Sequence, residues 1–350
     1  MSRAPVRIDV VPFTPAHLPA FIRFSRRTWT RPDDEAYFRW RYLEAPAQRI
    51  LLAMSGDTIA ATLMAFERDY LIGGRRRSCL EIFDWYCLDE YRGAGIGTRL
   101  MRSLMDAGTP IVAVGGTTFT LTLLPRLGWR RLAVASCHRL PLGGRSTGES
   151  LQRRYRIPAR AGALAFDALL RPWFAPRVRA RPAGGEVRLA SAPGEELLAL
   201  YEGRTGYDLL PLPHLPHLRW LTGGWPPLGP FRILHFMQGG VLRGWTLLRV
   251  YGPEGRREVN LLDLYAPRPD EALYTWMISE SLVRAGEFRP EAVNSQSACP
   301  ILARALRRNR FLSSGDTPIH VWPADFAEGT GAMHMVQNAS DGAFIPYPTV

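Results

Sequence analysis

Apolar and polar residues follow one another along the first part of the chain with the periods of a mixed α/β protein. Five segments show the apolar runs or strict alternation that are typical of strands. They span residues 7–11, 49–55, 58–66, 80–88 and 110–114. Helical spacing marks residues 18–24, 96–105 and a segment that ends near Arg126. This order of elements predicts a mixed β-sheet flanked by helices.

A glycine-rich turn joins the strand-like segment 80–88 to the helix that follows it. The turn reads Arg92-Gly93-Ala94-Gly95-Ile96-Gly97-Thr98. Glycines let the main chain approach an anion closely, and the free N–H groups at a helix N-terminus point towards it. The helix dipole and the Arg92 guanidinium add positive charge at the same place. The turn is therefore a candidate phosphate-binding loop.

Three kinds of phosphate loop compete for this segment. A Walker A loop needs a lysine after its last glycine, and the sequence contains no lysine. A dinucleotide fingerprint needs G-x-G-x-x-G and a later acid, but Thr98 takes the place of the last glycine, and the next strand ends in Gly115-Gly116. The third pattern, R-x-x-G-x-G, is satisfied by Arg92, Gly95 and Gly97.

An R-x-x-G-x-G loop between a strand and a helix resembles the pyrophosphate loop of the GNAT superfamily of N-acetyltransferases. The resemblance covers about residues 7–140, and Gly128-Trp129 stands where the family usually has Gly-Phe. It implies that acetyl-CoA, or another acyl-CoA, is the cosubstrate and that no metal takes part. It also implies that Tyr86, Cys87 and Leu88 contact the pantetheine, that Thr117 can bond to it, and that the pyrophosphate is bound by a run of loop residues. That run comprises Arg92, Gly93, Ala94, Gly95, Ile96, Gly97 and Thr98.

The same resemblance implies direct attack by a primary amine of a small-molecule or peptide acceptor on the thioester. The base is expected to be a carboxylate on the strand before the loop, either Glu81, which we prefer, or Asp84. Alternation along a strand places these two side chains on opposite faces. The usual tyrosine acid and its companion asparagine are replaced by Leu124 and Thr117. We therefore expect either that Tyr86 or Tyr91 gives the thiolate its proton, or that the thiolate leaves and takes a proton from water.

The second half of the chain repeats the first with an offset of about 180 residues. Residues 76–86 (RRSCLEIFDWY) align with residues 255–265 (GRREVNLLDLY), but the glycine loop is replaced by a turn with two prolines and two acids, 266–271. We therefore predict two tandem GNAT-like domains, of which the second is degenerate and binds no CoA. The predicted divisions are 1–144 for the GNAT domain, 145–184 for a linker, 185–326 for the degenerate domain and 327–350 for an irregular tail.

The linker and the tail contain apolar residues among polar ones. Residues 145–182 hold nine arginines and two acids, with Leu164, Phe166, Leu169, Leu170, Trp173 and Phe174 among them. Either this segment docks its apolar side chains on the two domains, or it forms a basic amphipathic helix that weakly contacts an anionic membrane surface. Phe344, Ile345, Tyr347 and Val350 are candidates for docking the tail. The aromatic residues Trp40, Tyr42, Trp220 and Trp225 are candidate walls of an acceptor pocket between the halves.

Composition narrows the function classes. The net charge of +12 is carried by arginine, but no recognised nucleic-acid module accompanies it, so we expect no nucleic-acid partner. His214 and His217 lack the further ligands that a metal site needs. Residues 1–7 lack a signal-peptide core and the four cysteines lack C-x-x-C spacing, so a cytoplasmic protein with reduced thiols is expected.

Two other functions remain: a CoA-binding regulatory protein with an impaired active site, and, less favoured, an aminoacyl-tRNA-dependent transferase.

Overall fold

The chain folds around one mixed β-sheet flanked by helices. The computed structural model describes residues 7–29, 31–32, 34–177, 181–339 and 342–344. The first half contains the predicted elements in the predicted order, and its hairpin turns at Gly56 with a φ of +57°. Its elements are β1 (Asp9–Pro12), α1 (Leu18–Thr28), α2 (Glu35–Arg39), β2 (Gln48–Ser55), β3 (Thr58–Ile72), β4 (Arg75–Cys87), α3 (Ile96–Met105), β5 (Ile111–Val114), α4 (Thr118–Arg126) and β6 (Arg130–Pro141).

Three helices connect the halves, and the second half then repeats the order of the first, with one short strand added. The connecting helices are α5 (Gly144–Tyr155), α6 (Ala159–Ala165) and α7 (Arg171–Phe174). The elements of the second half are β7 (Gly185–Ala190), α8 (Glu196–Glu202), β8 (Leu209–Pro211), α9 (Leu215–Gly223), β9 (Phe231–Gln238), β10 (Val241–Tyr251), β11 (Glu258–Tyr265), α10 (Glu271–Gly286), β12 (Ala292–Ser297), α11 (Pro300–Arg308) and β13 (Leu312–Trp322).

The last strand of each half crosses to the other half. The sheet order is β1-β2-β3-β4-β5-β13-β6-β12-β11-β10-β9-β7, with β8 paired to β3. Strand β13 therefore lies between β5 and β6, while β6 lies between β13 and β12. The two halves share one continuous sheet, and neither completes its own part of it alone.

Apolar side chains cover both faces of the sheet in the first half. On one face, Leu100 and Leu104 of α3 and Leu124 of α4 pack against β3, β4 and β5. On the other face, aromatic residues of both halves pack together. The rings of Trp40 and Trp220 stack at 4.6 Å, and the Trp220 indole N–H donates to the Trp40 carbonyl oxygen at 3.2 Å. These tryptophans therefore join the halves.

The connecting segment is anchored by two of its aromatic residues. Phe166 and Phe174 are buried in the core of the second half. Four other predicted apolar residues stay 48% to 75% exposed, namely Leu164, Leu169, Leu170 and Trp173. Within the described residues, no helix combines the length and apolarity needed to cross a bilayer.

The described part of the tail has little regular structure, and its second portion is nevertheless buried. Between Met333 and Phe344 most described side chains lie in the interior, and Phe344 is fully buried against Trp40, Trp220 and the Arg41 guanidinium. Of the four predicted docking residues, Ile345, Tyr347 and Val350 lie outside the described residues.

Candidate functional site

A gap opens in the sheet beside the end of β4. Strands β4 and β5 pair in parallel through Leu80–Ile82 and Ile111–Ala113, but β4 continues to Cys87 whereas β5 ends at Val114. On its other side, β4 stays paired with β3 as far as Cys87. Main-chain groups of β4 beyond Ile82 therefore face the gap, where an extended ligand can pair with them as an added strand.

A β-bulge in β4 lies at the point where the strands diverge. Phe83 is opposite Met64 and Tyr86 is opposite Thr62, so two residues of β4 face Leu63 alone. Asp84 has a φ of +48°, and its carbonyl oxygen accepts from the Thr62 hydroxyl at 3.0 Å. Bulges re-aim the side chains that follow them.

The bulge makes one sequence-based prediction wrong: Glu81 and Asp84 do not point to opposite faces. Asp84 contacts Tyr42, which packs with Phe83, and Glu81 contacts Arg68, which shares a face of β3 with Phe66. Both carboxylates therefore lie on the face that meets the second half. The regular alternation used for the prediction ends where the extra residue enters the strand.

Asp84 is held in a buried polar cluster at the edge of the gap. Arg31 Nη2 donates to Asp84 Oδ1 at 2.5 Å, and the Tyr42 hydroxyl donates to Oδ2 at 3.3 Å. Arg31 also donates to the Tyr42 hydroxyl and stacks on Trp29 at 3.8 Å. The side chains of Arg31 and Asp84 are 1% and 4% exposed, and burial raises the pKa of Tyr42. No sequence pattern singled out Arg31, because 53 residues separate it from Asp84.

Glu81 is fully buried, one step further inside the sheet. Its Oε1 accepts from the Tyr70 hydroxyl at 2.5 Å and from Arg68 Nη1 at 3.3 Å. It stands opposite Val112, where β4 and β5 are still paired. The structure thus places Asp84 at the gap and Glu81 behind it.

The predicted phosphate loop lies between β4 and α3, as the sequence indicated. Gly93 and Gly95 have φ values of +83° and +71°, in the left-handed region that favours glycine, and Gly95 caps α3. Behind them, the Trp85 indole N–H donates to the Gly97 carbonyl oxygen at 3.2 Å. Ala94 is exposed, Ile96 is buried under the helix, and Thr98 is half-buried. The first N–H groups of α3 are therefore presented by a turn braced on Trp85.

Arg92 connects the loop to the end of β4. Its guanidinium contacts Asp89 at 2.9 Å and donates to the Cys87 carbonyl oxygen at 3.2 Å and the Tyr86 hydroxyl at 3.1 Å. The side chain remains 56% exposed, so it can reach an anion. Burial raises the pKa of the Cys87 thiol, which disfavours its thiolate form.

Leu88, Thr117 and Leu124 have structural roles. The Leu88 amide donates to the Ala60 carbonyl oxygen at 2.9 Å, so this N–H is not available to a ligand. Thr117 caps α4 by accepting from the Thr120 amide at 3.2 Å, and its hydroxyl also shares a hydrogen bond of 3.1 Å with the Thr120 hydroxyl. Leu124, at the position of the family's usual acid, is fully buried in the core.

The corresponding gap in the second half is filled by the chain itself. Strands β11 and β12 pair through Glu258–Leu261 and Ala292–Ser295 and then diverge. The tail enters there: Val336 bridges to Ser297, the Ala298 amide donates to the Met335 carbonyl oxygen at 2.9 Å, and the Asn338 amide donates to the Leu262 carbonyl oxygen at 2.8 Å.

The turn after β11 also differs from the glycine loop. Asp270 caps α10, and its Oδ1 accepts from the amides of Ala272 at 2.9 Å and Leu273 at 3.0 Å. The donors that would meet a phosphate are therefore occupied by a carboxylate, as the sequence predicted.

Comparisons with known proteins agree with this geometry. Residues 9–130 match the model of an acetyltransferase (GNAT) domain. No curated protein matches the sequence. Among solved structures, N-myristoyltransferase of Saccharomyces cerevisiae with bound myristoyl-CoA is similar at 12% identity and a TM-score of 0.61, over 91% of this chain and 84% of that one. A GCN5-related N-acetyltransferase of Anabaena variabilis is similar at 11% identity and a TM-score of 0.60, over 90% and 72% of the two chains. One of Kribbella flavida is similar at 15% identity and a TM-score of 0.54, over 90% and 70%.

Proposed function

We propose that this chain, whose residues 9–130 match the model of an acetyltransferase (GNAT) domain, transfers an acetyl or other acyl group from acyl-CoA to a primary amine. The observation that carries this proposal is the gap between β4 and β5 with the Arg92–Thr98 loop at its mouth. The gap offers strand-like pairing to an extended ligand, and the loop offers amide donors and a guanidinium to an anion. Acyl-CoA combines an extended pantetheine arm with a pyrophosphate.

The proposed binding mode uses one acyl-CoA per chain. The pyrophosphate contacts the amides of residues 93–98 and the Arg92 guanidinium, and the pantetheine pairs with β4 near Tyr86 and Cys87. We also propose that residues 185–326 are a degenerate second copy of the domain. Its gap is filled by Met335, Val336 and Asn338, which supports the absence of a second CoA site.

The proposed reaction is direct aminolysis of the thioester. The ammonium of the acceptor loses one proton, its nitrogen attacks the thioester carbonyl carbon and then gives up a second proton, and the C–S bond breaks as the CoA thiolate leaves and takes up a proton. An amide N–H of β4 facing the gap stabilises the negative charge on the carbonyl oxygen.

Asp84 is the base that the geometry favours over Glu81. It lies at the bulge where the gap begins, whereas Glu81 is buried behind the paired part of the strands. The Tyr42 hydroxyl, bonded to Asp84, can relay the proton. The Tyr86 hydroxyl, held by Arg92 at the gap, is the proposed proton donor to the thiolate.

A second candidate function is that of a CoA-binding regulatory protein. It is favoured by Leu124, since the residue at the usual acid position belongs to the core and has no proton to give. This protein would bind acyl-CoA and would not release the thiol.

The test combines ligand binding with turnover. Acetyl-CoA and myristoyl-CoA are added separately to the full chain, and thermal stabilisation is measured. Gly95→Asp should abolish stabilisation, because a carboxylate at this position repels the pyrophosphate. Gly95→Asn is the matched control, since asparagine tolerates the left-handed conformation and a Cβ at this position meets open space.

Turnover is then measured as thiol release with a panel of amines, polyamines, amino sugars and amino acids. Stabilisation together with amine-dependent thiol release supports the transferase. Stabilisation without thiol release across the panel supports the regulatory protein. Equal stabilisation of both Gly95 variants would refute the loop as the pyrophosphate site.

A further inference from the structure

The segment that connects the two halves ends in one continuous helical run. Helix α6, a π-helical turn at Phe166–Leu170 and α7 follow one another without a break from Ala159 to Phe174, and we call this run the outer helix. Phe166 and Phe174 are both buried in the core of the second half. Residues eight apart in a regular α-helix differ by about 80° in direction. The wider π-helical turn removes this difference, so both rings lie on the inward face.

The outward face of the outer helix is apolar along its length. Leu164, Leu169 and Trp173 are each at least 60% exposed. The small residues between them on this face are exposed as well, namely Ala161, Ala165 and Ala168. Large exposed side chains gathered on one face of a helix indicate an interaction surface rather than the scattered apolar residues of an ordinary protein exterior.

The outer helix is fixed in the orientation that exposes this face. Helix α5 crosses it at two glycines, Gly148 and Gly162, and a Cβ at Gly148 would come within 2.1 Å of the Ala159 carbonyl oxygen. This close backbone contact and the two buried phenylalanines hold the helix on its other sides. The apolar face is therefore built into the fold and does not need a rearrangement to become accessible.

Basic side chains border the apolar face. Glu149 and Asp167, acids of the same segment, each contact an arginine, at 3.3 Å and 3.8 Å. Arg310 of the second half places its guanidinium 4.4 Å from the centre of the Trp173 ring. Four exposed arginines at the end of α5, in the turn and at the start of the outer helix form no ion pair within the described residues, namely Arg153, Arg154, Arg156 and Arg160. Their positive charge is uncompensated.

An anionic bilayer surface fits this combination better than a protein does. Helices that lie on membranes carry leucine and tryptophan on one face and arginine beside it. A second copy of the chain would bring the same four arginines together across a symmetric interface, where they repel each other. A protein partner binds through anchor residues in pockets, whereas the outward face is the convex surface of a single helix.

We propose that the outer helix lies on the surface of an anionic lipid bilayer. Leu164, Leu169 and Trp173 enter the boundary between headgroups and acyl chains, which removes their apolar surface from water. Arg156 and Arg160 remain at the level of the lipid phosphates and donate hydrogen bonds to their oxygens. The contact needs both parts, so binding depends on anionic lipid. It is independent of the proposed acyl transfer.

Sedimentation of the full chain with vesicles tests the lipid requirement. Vesicles of phosphatidylglycerol and phosphatidylcholine should bind it about tenfold or more better than vesicles of phosphatidylcholine alone. The combined change Arg156→Asn and Arg160→Gln should lower the partition coefficient by about 25-fold, since each arginine near an anionic surface contributes about fivefold. Asparagine is chosen because it tolerates the φ of +58° at position 156. Arg75→Gln with Arg77→Gln, exposed on β4, is the control of equal charge and should bind within about twofold of the wild type.

Fluorescence quenching by lipids with brominated acyl chains tests which residues enter the bilayer. Anionic vesicles that contain these lipids should quench the wild type. Trp173→Phe keeps an aromatic ring beside Arg310, so it should still sediment with the vesicles and lose most of the quenching. Equal binding to both kinds of vesicle, equal losses in the two arginine variants, or quenching that persists in Trp173→Phe would overturn the proposal.

Two other outcomes would assign the apolar face to a different partner and also overturn the proposal. Self-association of the chain that becomes stronger in the variant Arg156→Asn and Arg160→Gln would indicate a second copy, because the repulsion between copies is reduced. Binding of poly-glutamate without binding of anionic vesicles would indicate an acidic protein.

Discussion

The carboxyl group of Asp263 lies in the interior of the protein, and burying its charged form lowers the free energy of unfolding. The variant Asp263→Asn tests the size of this loss. Burial raises the pKa of Asp263 from 3.8 to about 6, and Arg68 and the Asn338 amide oppose the rise. Because the folded pKa lies above the unfolded one, the folded state is favoured when the group is protonated. This stability is fully present below about pH 4 and is lost as the pH rises through about 6.

The size of the effect follows from the shift. A difference of about 2 pKa units corresponds to about 3 kcal/mol of unfolding free energy once the group is fully ionised in both states. Between pH 4.5 and pH 8 the part that changes is about 2 kcal/mol. Asparagine does not titrate, so the Asp263→Asn variant lacks this pH-dependent contribution. Its unfolding free energy should therefore rise relative to that of the wild type by about 2 kcal/mol between pH 4.5 and pH 8.

Urea unfolding of the ligand-free wild type and variant at both pH values measures the difference, in which all other titrating groups cancel. If the difference in unfolding free energy between variant and wild type does not vary with pH, or varies with the opposite sign, Asp263 does not have a raised pKa in the folded protein.

Two further predictions concern the gap and the connecting segment. Asp84→Asn should lower kcat by about 10²- to 10⁴-fold while acyl-CoA still binds. Glu81→Gln should mainly lower the unfolding temperature, because a buried hydrogen-bonded carboxylate is lost. A large loss of kcat in Glu81→Gln together with normal kcat in Asp84→Asn would instead identify Glu81 as the base. The combined change Leu164→Ser and Leu169→Ser, at positions that are 71% and 75% exposed, should reduce sedimentation with vesicles of anionic lipid at unchanged unfolding temperature. Failure of the wild-type protein to sediment with such vesicles would exclude the membrane contact.

Local sequence patterns predicted the first half of the chain well. The hairpin at Gly56-Asp57 and the R-x-x-G-x-G loop need only neighbouring residues for their conformation, so the sequence is sufficient to identify them. The bulge at Asp84 was not predictable in this way, because a positive φ at an aspartate is uncommon and depends on packing around Arg31 and Tyr42.

Long-range arrangement was likewise beyond the sequence. Neither β6 nor β13 was among the strands that the sequence predicted, and periodicity carries no information on which strands pair with each other. The tail reads as irregular because it contains polar and small residues. Its predicted docking residue Phe344 is buried, but so is Asn338, which no sequence pattern singled out. A cavity between the halves is lined by Arg68, Asp263 and Asn338 from three distant segments, and only the fold brings them together.

The crossing of β6 and β13 has a consequence for how the protein is made. During synthesis, β5 can pair with β4 but lacks its second neighbour until β13 is translated, about 200 residues later. A fragment ending at residue 144 would carry β6 with neither of its partners and β5 with an open edge, a template for aggregation. We therefore expect the two halves to unfold in one cooperative step. Truncations that remove part of the shared sheet should also abolish the proposed binding of acyl-CoA at the glycine loop.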